Sequence, residues 1–132
     1  VGASQLADGA GLPPLIKKAE PITVSLSGTD QTLIDVAVPV PGSYLVLGTA
    51  HATGSGAQAL ECDLKQTAEG QGDRFLDLGT ASGTGLNVVL QGSATFAAGD
   101  HVKLVCSVSS GSISLDRRAV ELVRVASVTV AP

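Results

Sequence analysis

From Pro21 onward, apolar and polar residues alternate with a period of two. Ile22, Val24 and Leu26 oppose Thr23, Ser25 and Ser27 before Gly28, the pattern of a half-buried strand. In residues 32–42, Ile34, Val36 and Val38 share one face while Leu33 and Asp35 take the other. Pro39 and Pro41 close that run and place it at a sheet edge or turn, because proline cannot donate to a ladder. Residues 42–54 read as a long strand, apolar on both faces as far as Thr49. Residues 59–67 alternate cleanly, with Leu60, Cys62 and Leu64 inward and Glu61, Asp63 and Lys65 outward. A short strand over 74–79 and a longer one over 85–96 follow. A turn at 97–100 then leads into a strand with Val102, Leu104, Cys106 and Val108 on one face. The last strand region, 117–130, has apolar residues at 120 and 122 and then at 123, 125, 128 and 130, which predicts a bulge or face switch near 122–123. About eight to ten strands at regular spacing, with no internal helix, predict an all-β fold: a two-sheet antiparallel sandwich or jelly roll.

The first 21 residues do not share this period. Asp8-Gly9, Gly11 and Pro13-Pro14 interrupt them, so residues 1–21 read as an arm and residues 22–132 as the folded domain. One helical turn fits at residues 13–20, since proline is tolerated in a first turn, although so short a helix does not stand alone in water. Val1 stands where an initiator Met would be, and the chain is expected to be a piece of something longer.

Composition narrows the function classes. The net charge is −4, and the four Lys and four Arg are scattered apart from Lys17-Lys18 and Arg117-Arg118. That argues against nucleic acid, which needs clustered cations to neutralise phosphates. No apolar run approaches the roughly 18–20 residues that cross a bilayer, so no membrane insertion is expected. Cys62 and Cys106 occupy inward positions of two alternating strands. Two buried thiols or one bridge are both compatible with this, and the secreted-looking composition favours the bridge, worth around 3–4 kcal/mol.

Catalytic chemistry is hard to find. His51 and His101 lie near strand ends on the face opposite the apolar set, which makes them rim residues. A hydrolytic triad would need a chosen nucleophile and a buried acid, and no serine sits in a G-x-S-x-G elbow. Glu61 and Asp63 are neighbours on one strand, whereas glycosidases need acids facing across a cleft. Glu69, Asp73 and Asp77 lack the ligand spacing of a calcium loop. The glycine-rich stretch 79–85 reads as a hairpin loop and not a phosphate cradle. No catalytic residue, metal or cofactor is expected. More informative are the positions where both faces are apolar: 44–47, 88–90 and 122–125. One face of each sheet in a sandwich meets water, so either a loop or the arm covers these side chains or a partner does. Self-association is the expectation, with Tyr44, Val46, Val89, Val123 and Val125 as interface candidates. Phe75, His51 and His101 are the candidates for a ligand surface, glycan or protein.

Two stretches add a resemblance. "VGASQLADGAG" with "LIKKAEP" resembles the V-G-x-x-Q-L-A-D-G-A-V-T-x-x-K-L units in the stalks of bacterial and phage fibre-like proteins, departing from them at Gly11 and Pro13-Pro14. Residues 22–130 resemble bacterial surface or secreted domains. The shared marks are Gly42-Ser43-Tyr44-Leu45-Val46, Cys62-Asp63-Leu64, Phe96 to Asp100, Val102 to Ser107 and Val125-Ala126-Ser127-Val128. Their architecture is the TNF-like jelly roll, also found in heads of the first complement component and of collagen-like spore glycoproteins. This resemblance implies a homotrimeric head led by a stalk, and it implies pairing of Cys62 with Cys106. The expected function is therefore a non-enzymatic trimerising head of a larger bacterial surface, secreted or virion-fibre protein. The alternative is a carbohydrate-binding accessory module of a secreted enzyme.

Overall fold

The computed structural model describes residues 15–20, 23–54, 56, 58–68 and 72–126. Nine strands appear among them: β1 (Leu15–Glu20), β2 (Val24–Ser27), β3 (Gln31–Ala37), β4 (Gly42–Thr53), β5 (Ala59–Thr67), β6 (Asp73–Ser82), β7 (Gly85–Phe96), β8 (His101–Val108) and β9 (Ser112–Val125). They build two sheets. One has the order β1-β9-β4-β7, with β2 also on β9, and the other the order β3-β8-β5-β6. Every pairing is antiparallel. Apart from the β5–β6 hairpin, each connection from β2 onward crosses between the sheets. This is the all-β jelly-roll sandwich that the alternation predicts.

Period-two patterning explains what lies between the sheets. β4 buries Tyr44, Val46, Ala50 and Ala52, and β7 buries Leu86, Val88 and Leu90. Leu60, Cys62 and Leu64 of β5 and Val102, Leu104 and Cys106 of β8 meet them from the other sheet. Cys62 and Cys106 are directly opposite in the β5–β8 register and form a disulfide. Tyr44 packs edge-on against Phe96, with ring centroids 5.7 Å apart, and its hydroxyl donates to the Val40 carbonyl at 2.7 Å. Burying this ring requires a partner for its polar end, and the carbonyl provides it. Inward-pointing Arg118 and Lys18 reach across the open edge to the Leu33 and Asp35 carbonyls of the other sheet.

Several local expectations change. Residues 15–20 form β1, paired with β9, and not a helical turn, because the ladder supplies backbone partners that one isolated turn lacks. Residues 13 and 14 lie outside the described residues, as do Ile22 and 127–130. The last strand begins earlier, at Ser112, and its pairing with β4 runs regularly through 122–123. Its bulge sits instead at Asp116, since His51 opposes Arg117 and Ala52 opposes Leu115. The residues before the bulge bury Ile113 and Leu115, and those after it bury Val120 and Leu122, so the inward parity flips there. Gly83 and Thr84 join β6 to β7 across the two sheets, so the glycine-rich stretch is a crossover and not a hairpin.

Candidate functional site

The alternation leaves one face of β4, β7 and β9 pointing away from the core. Cross-strand register sets its rows: Leu45 beside Ser93 and Val123, Leu47 beside Gln91 and Glu121, Thr49 beside Val89 and Ala119, and His51 beside Asn87 and Arg117. The face is therefore graded. Its middle is mostly apolar, with Val89 67 % exposed and a cleft lined by Leu47, Gly48, Thr49, Val89, Ala119 and Glu121. Lys17 of β1 closes the side of this region through an ion pair to Glu121 at 3.3 Å. The end near His51 is polar.

Of the five interface candidates, Val89, Val123 and Val125 lie on this outer face. Tyr44 and Val46 do not: both are fully buried in the single chain. They point between the sheets because they share parity with Gly48, Ala50 and Ala52, and the Tyr44 ring fills the space against Phe96. The outward apolar side chains of that stretch are Leu45 and Leu47. Strand parity carries the signal, since Leu45 and Leu47 continue into Thr49, His51 and Thr53, an outward polar series.

The three ligand-surface candidates do not come together. His51 lies on the outer face of the five-stranded sheet. Its Nδ1 is 2.6 Å from Asp116 Oδ1, the bulge residue. This contact, with Arg117 adding a smaller effect, holds the Asp116 carboxyl below the ordinary value of 3.8. An ionised carboxylate only accepts hydrogen bonds, so His51 Nδ1 carries the proton and donates it to Asp116. His101 lies on the other sheet, where its Nδ1 meets Asp35 Oδ1 at 2.6 Å. Two aspartate-buttressed imidazoles thus stand on opposite faces. Among the described residues, neither has a hydroxyl hydrogen-bonded to its other nitrogen.

Phe75 is 61 % exposed on β6, next to Leu78, and the Lys65 ammonium lies 5.0 Å from its ring centroid. With Tyr44 and Phe96 buried, it is the one Phe or Tyr ring among the described residues that reaches solvent. Of the acids weighed for calcium, Asp77 is occupied: it accepts from the Leu78 and Gln91 amides and so caps the β6–β7 seam. Asp73 accepts from Thr67, and Glu69 lies outside the described residues. Sequence reading set Asp63 on the solvent side of β5 beside Glu61 but missed its burial: it points outward yet is only 7 % exposed. Its Oδ1 meets no donor among the described residues. Burial first, then Glu61 and Asp30, push its carboxyl above 3.8, against the opposing pull of Lys65.

No family model and no curated protein matches the chain. Solved structures do. The globular domain of a zebrafish complement 1qA protein superposes with a TM-score of 0.59 at 17 % identity, covering 88 % of this chain and 99 % of that one. Eiger TNF from S. frugiperda gives 0.55 at 16 % identity, covering 84 % of this chain and 96 % of that one. Murine APRIL at pH 5.0 gives 0.57 at 10 % identity, covering 78 % and 98 %. At such identities the likeness establishes the fold, a TNF-like jelly roll.

Proposed function

We propose that this domain is a non-enzymatic, homotrimerising head of a larger bacterial surface, secreted or fibre protein, acting in assembly or adhesion. One observation carries the reading: Leu45, Leu47, Val89, Val123 and Val125 lie together on the outward face of the five-stranded sheet. Apolar side chains gathered on an outer sheet face, with Val89 exposed and the other four half-buried, mark a contact surface. Three copies of one such face converging on a threefold axis would remove it from water, in keeping with the trimer that the resemblance to TNF-like heads implies. The disulfide fits an oxidising compartment, either secreted or at a surface. The part of the 1–21 arm that precedes β1 would lead into this head from a stalk, since residues 15–20 already pair with β9 in the sheet.

Light scattering coupled to size exclusion tests the proposal. A mass near three times the 13.1 kDa chain, unchanged by reductant, is expected. A monomer at tens of micromolar would overturn it. In that case polysaccharide binding through Phe75, the exposed ring, would become the reading to pursue.

A further inference from the structure

We infer that the polar end of the same sheet face is a binding site for a sugar acid, a hexuronate at the end of a glycan. Four outward side chains meet there: Thr49 and His51 from β4, Asn87 from β7 and Arg117 from β9. With the backbone of Ala50 they line a cleft of about 300 Å³. That is the lower end of the roughly 300–1,000 Å³ of small-molecule sites, so it suits one sugar residue better than a drug-sized ligand. Register places His51 directly between Asn87 and Arg117, within reach of one ligand.

The chemistry of the lining selects the occupant. The Arg117 guanidinium makes no hydrogen bond or ion pair among the described residues, and its planar fork matches a carboxylate. His51 donates from Nδ1 to Asp116, which fixes the tautomer. In the neutral ring Nε2 is then an acceptor, which suits a hydroxyl and not a second carboxylate. Asn87 and Thr49 each offer a donor and an acceptor, again suited to hydroxyls. A ligand satisfying all four carries one carboxylate with hydroxyls on adjacent carbons. A simple carboxylate leaves His51 unmatched, and a neutral sugar leaves Arg117 unmatched. Asp116 has a positioning role: the bulge turns its carboxylate onto the imidazole, which is what commits the ring.

Titration calorimetry on the intact chain, with the mass of each sample measured in parallel, tests this. Methyl β-glucuronide stands for the glycan end, lactate for a small free hydroxy acid, and acetate and methyl glucoside for the two halves of the recognition. Saturable binding of the glucuronide is expected. Acetate, lactate and methyl glucoside should each bind at least about tenfold more weakly, because each loses one set of polar contacts. Arg117→Gln, an exposed position, should weaken glucuronide at least tenfold while leaving the melting temperature and the mass unchanged. Asn87→Ala should weaken both glucuronide and methyl glucoside. No saturable glucuronide binding at tens of millimolar, or binding unchanged in Arg117→Gln, would overturn the inference. Tighter lactate than glucuronide would overturn the glycan assignment. A monomer that still binds glucuronide would sink the trimer alone, and a trimer that does not bind would sink this site alone.

Discussion

Asp63 is a carboxyl in the wrong place for its charge. It sits on the outer face of β5, where strand parity predicts a solvated acid, yet it is almost wholly covered and one oxygen lacks a donor among the described residues. Burial and the neighbouring Glu61 raise its pKa above 3.8, so the folded chain takes up a proton more readily than the unfolded one. The stability this proton linkage gives is complete below about pH 3.8 and is lost as pH rises through the folded-state pKa. Asp63→Asn should therefore stabilise the domain by about 1 kcal/mol at pH 7, with the gain vanishing near pH 3.5. Urea titrations of both proteins at the two pH values check this, and a gain equal at both would contradict it. Asp116 has the opposite sign, because its lowered pKa gives stability that holds above 3.8 and is lost as acid protonates it. Neither behaviour was legible in the sequence. The outward position of Asp63 was, but its burial and the repulsion that reaches it from Asp30, on another segment, are encoded by no local pattern.

Strand spacing was more legible than strand function. β4, β5 and β7 fall within about a residue of their alternation limits because their inward sets are unbroken and their ends carry Gly, Pro or Thr-Gly signals. The Asp116 bulge was misplaced to 122–123 for a physical reason. An outward apolar pair, Val123 and Val125, imitates a face switch when the strand's other neighbour is unknown. Two element-scale consequences follow, one between the sheets and one within a single sheet. Between β6 and β7, a Cβ on Gly92 would lie 2.9 Å from Leu76 Cβ and 3.1 Å from its carbonyl oxygen. Relief there requires backbone movement, so Gly92→Ala should cost about 1–3 kcal/mol, measured as a lowered urea midpoint at unchanged slope. Within the second sheet, the disulfide ties β5 to β8 across a 44-residue separation. Replacing both cysteines by alanine should cost about 4 kcal/mol through the freed unfolded chain. A loss below about 1 kcal/mol would mean that the β5–β8 ladder and its core contacts alone hold the register.

For the whole molecule, the decisive contrast is between the two outer faces. The five-stranded sheet presents Leu45, Leu47, Val89, Val123 and Val125 as a field across three adjacent strands, interspersed with Thr49, Gln91 and Glu121, and ends in a polar row. The four-stranded sheet presents Phe75 and Leu78 at its edge strand, beside Lys65 and Asp73 and near the buried Asp63. Both carry exposed hydrophobic side chains, so exposure alone does not choose an interface. Extent does, because the first field crosses three adjacent strands and the second is confined to one. Placing a charge at the centre of the field should then separate the copies, since an unpaired carboxylate buried between subunits is far more costly than one in water. Val89→Asp is expected to reduce the mass from trimer to monomer while leaving the fold intact, because Val89 already faces solvent in the single chain. Phe75→Asp, equally exposed on the other sheet, should leave the mass unchanged. Light scattering on the two variants, with near-ultraviolet circular dichroism to show that Tyr44 and Phe96 stay packed, distinguishes the cases. If Phe75→Asp separates the copies and Val89→Asp does not, the assembly face lies on the four-stranded sheet, and the apolar field across β4, β7 and β9 belongs to a different partner.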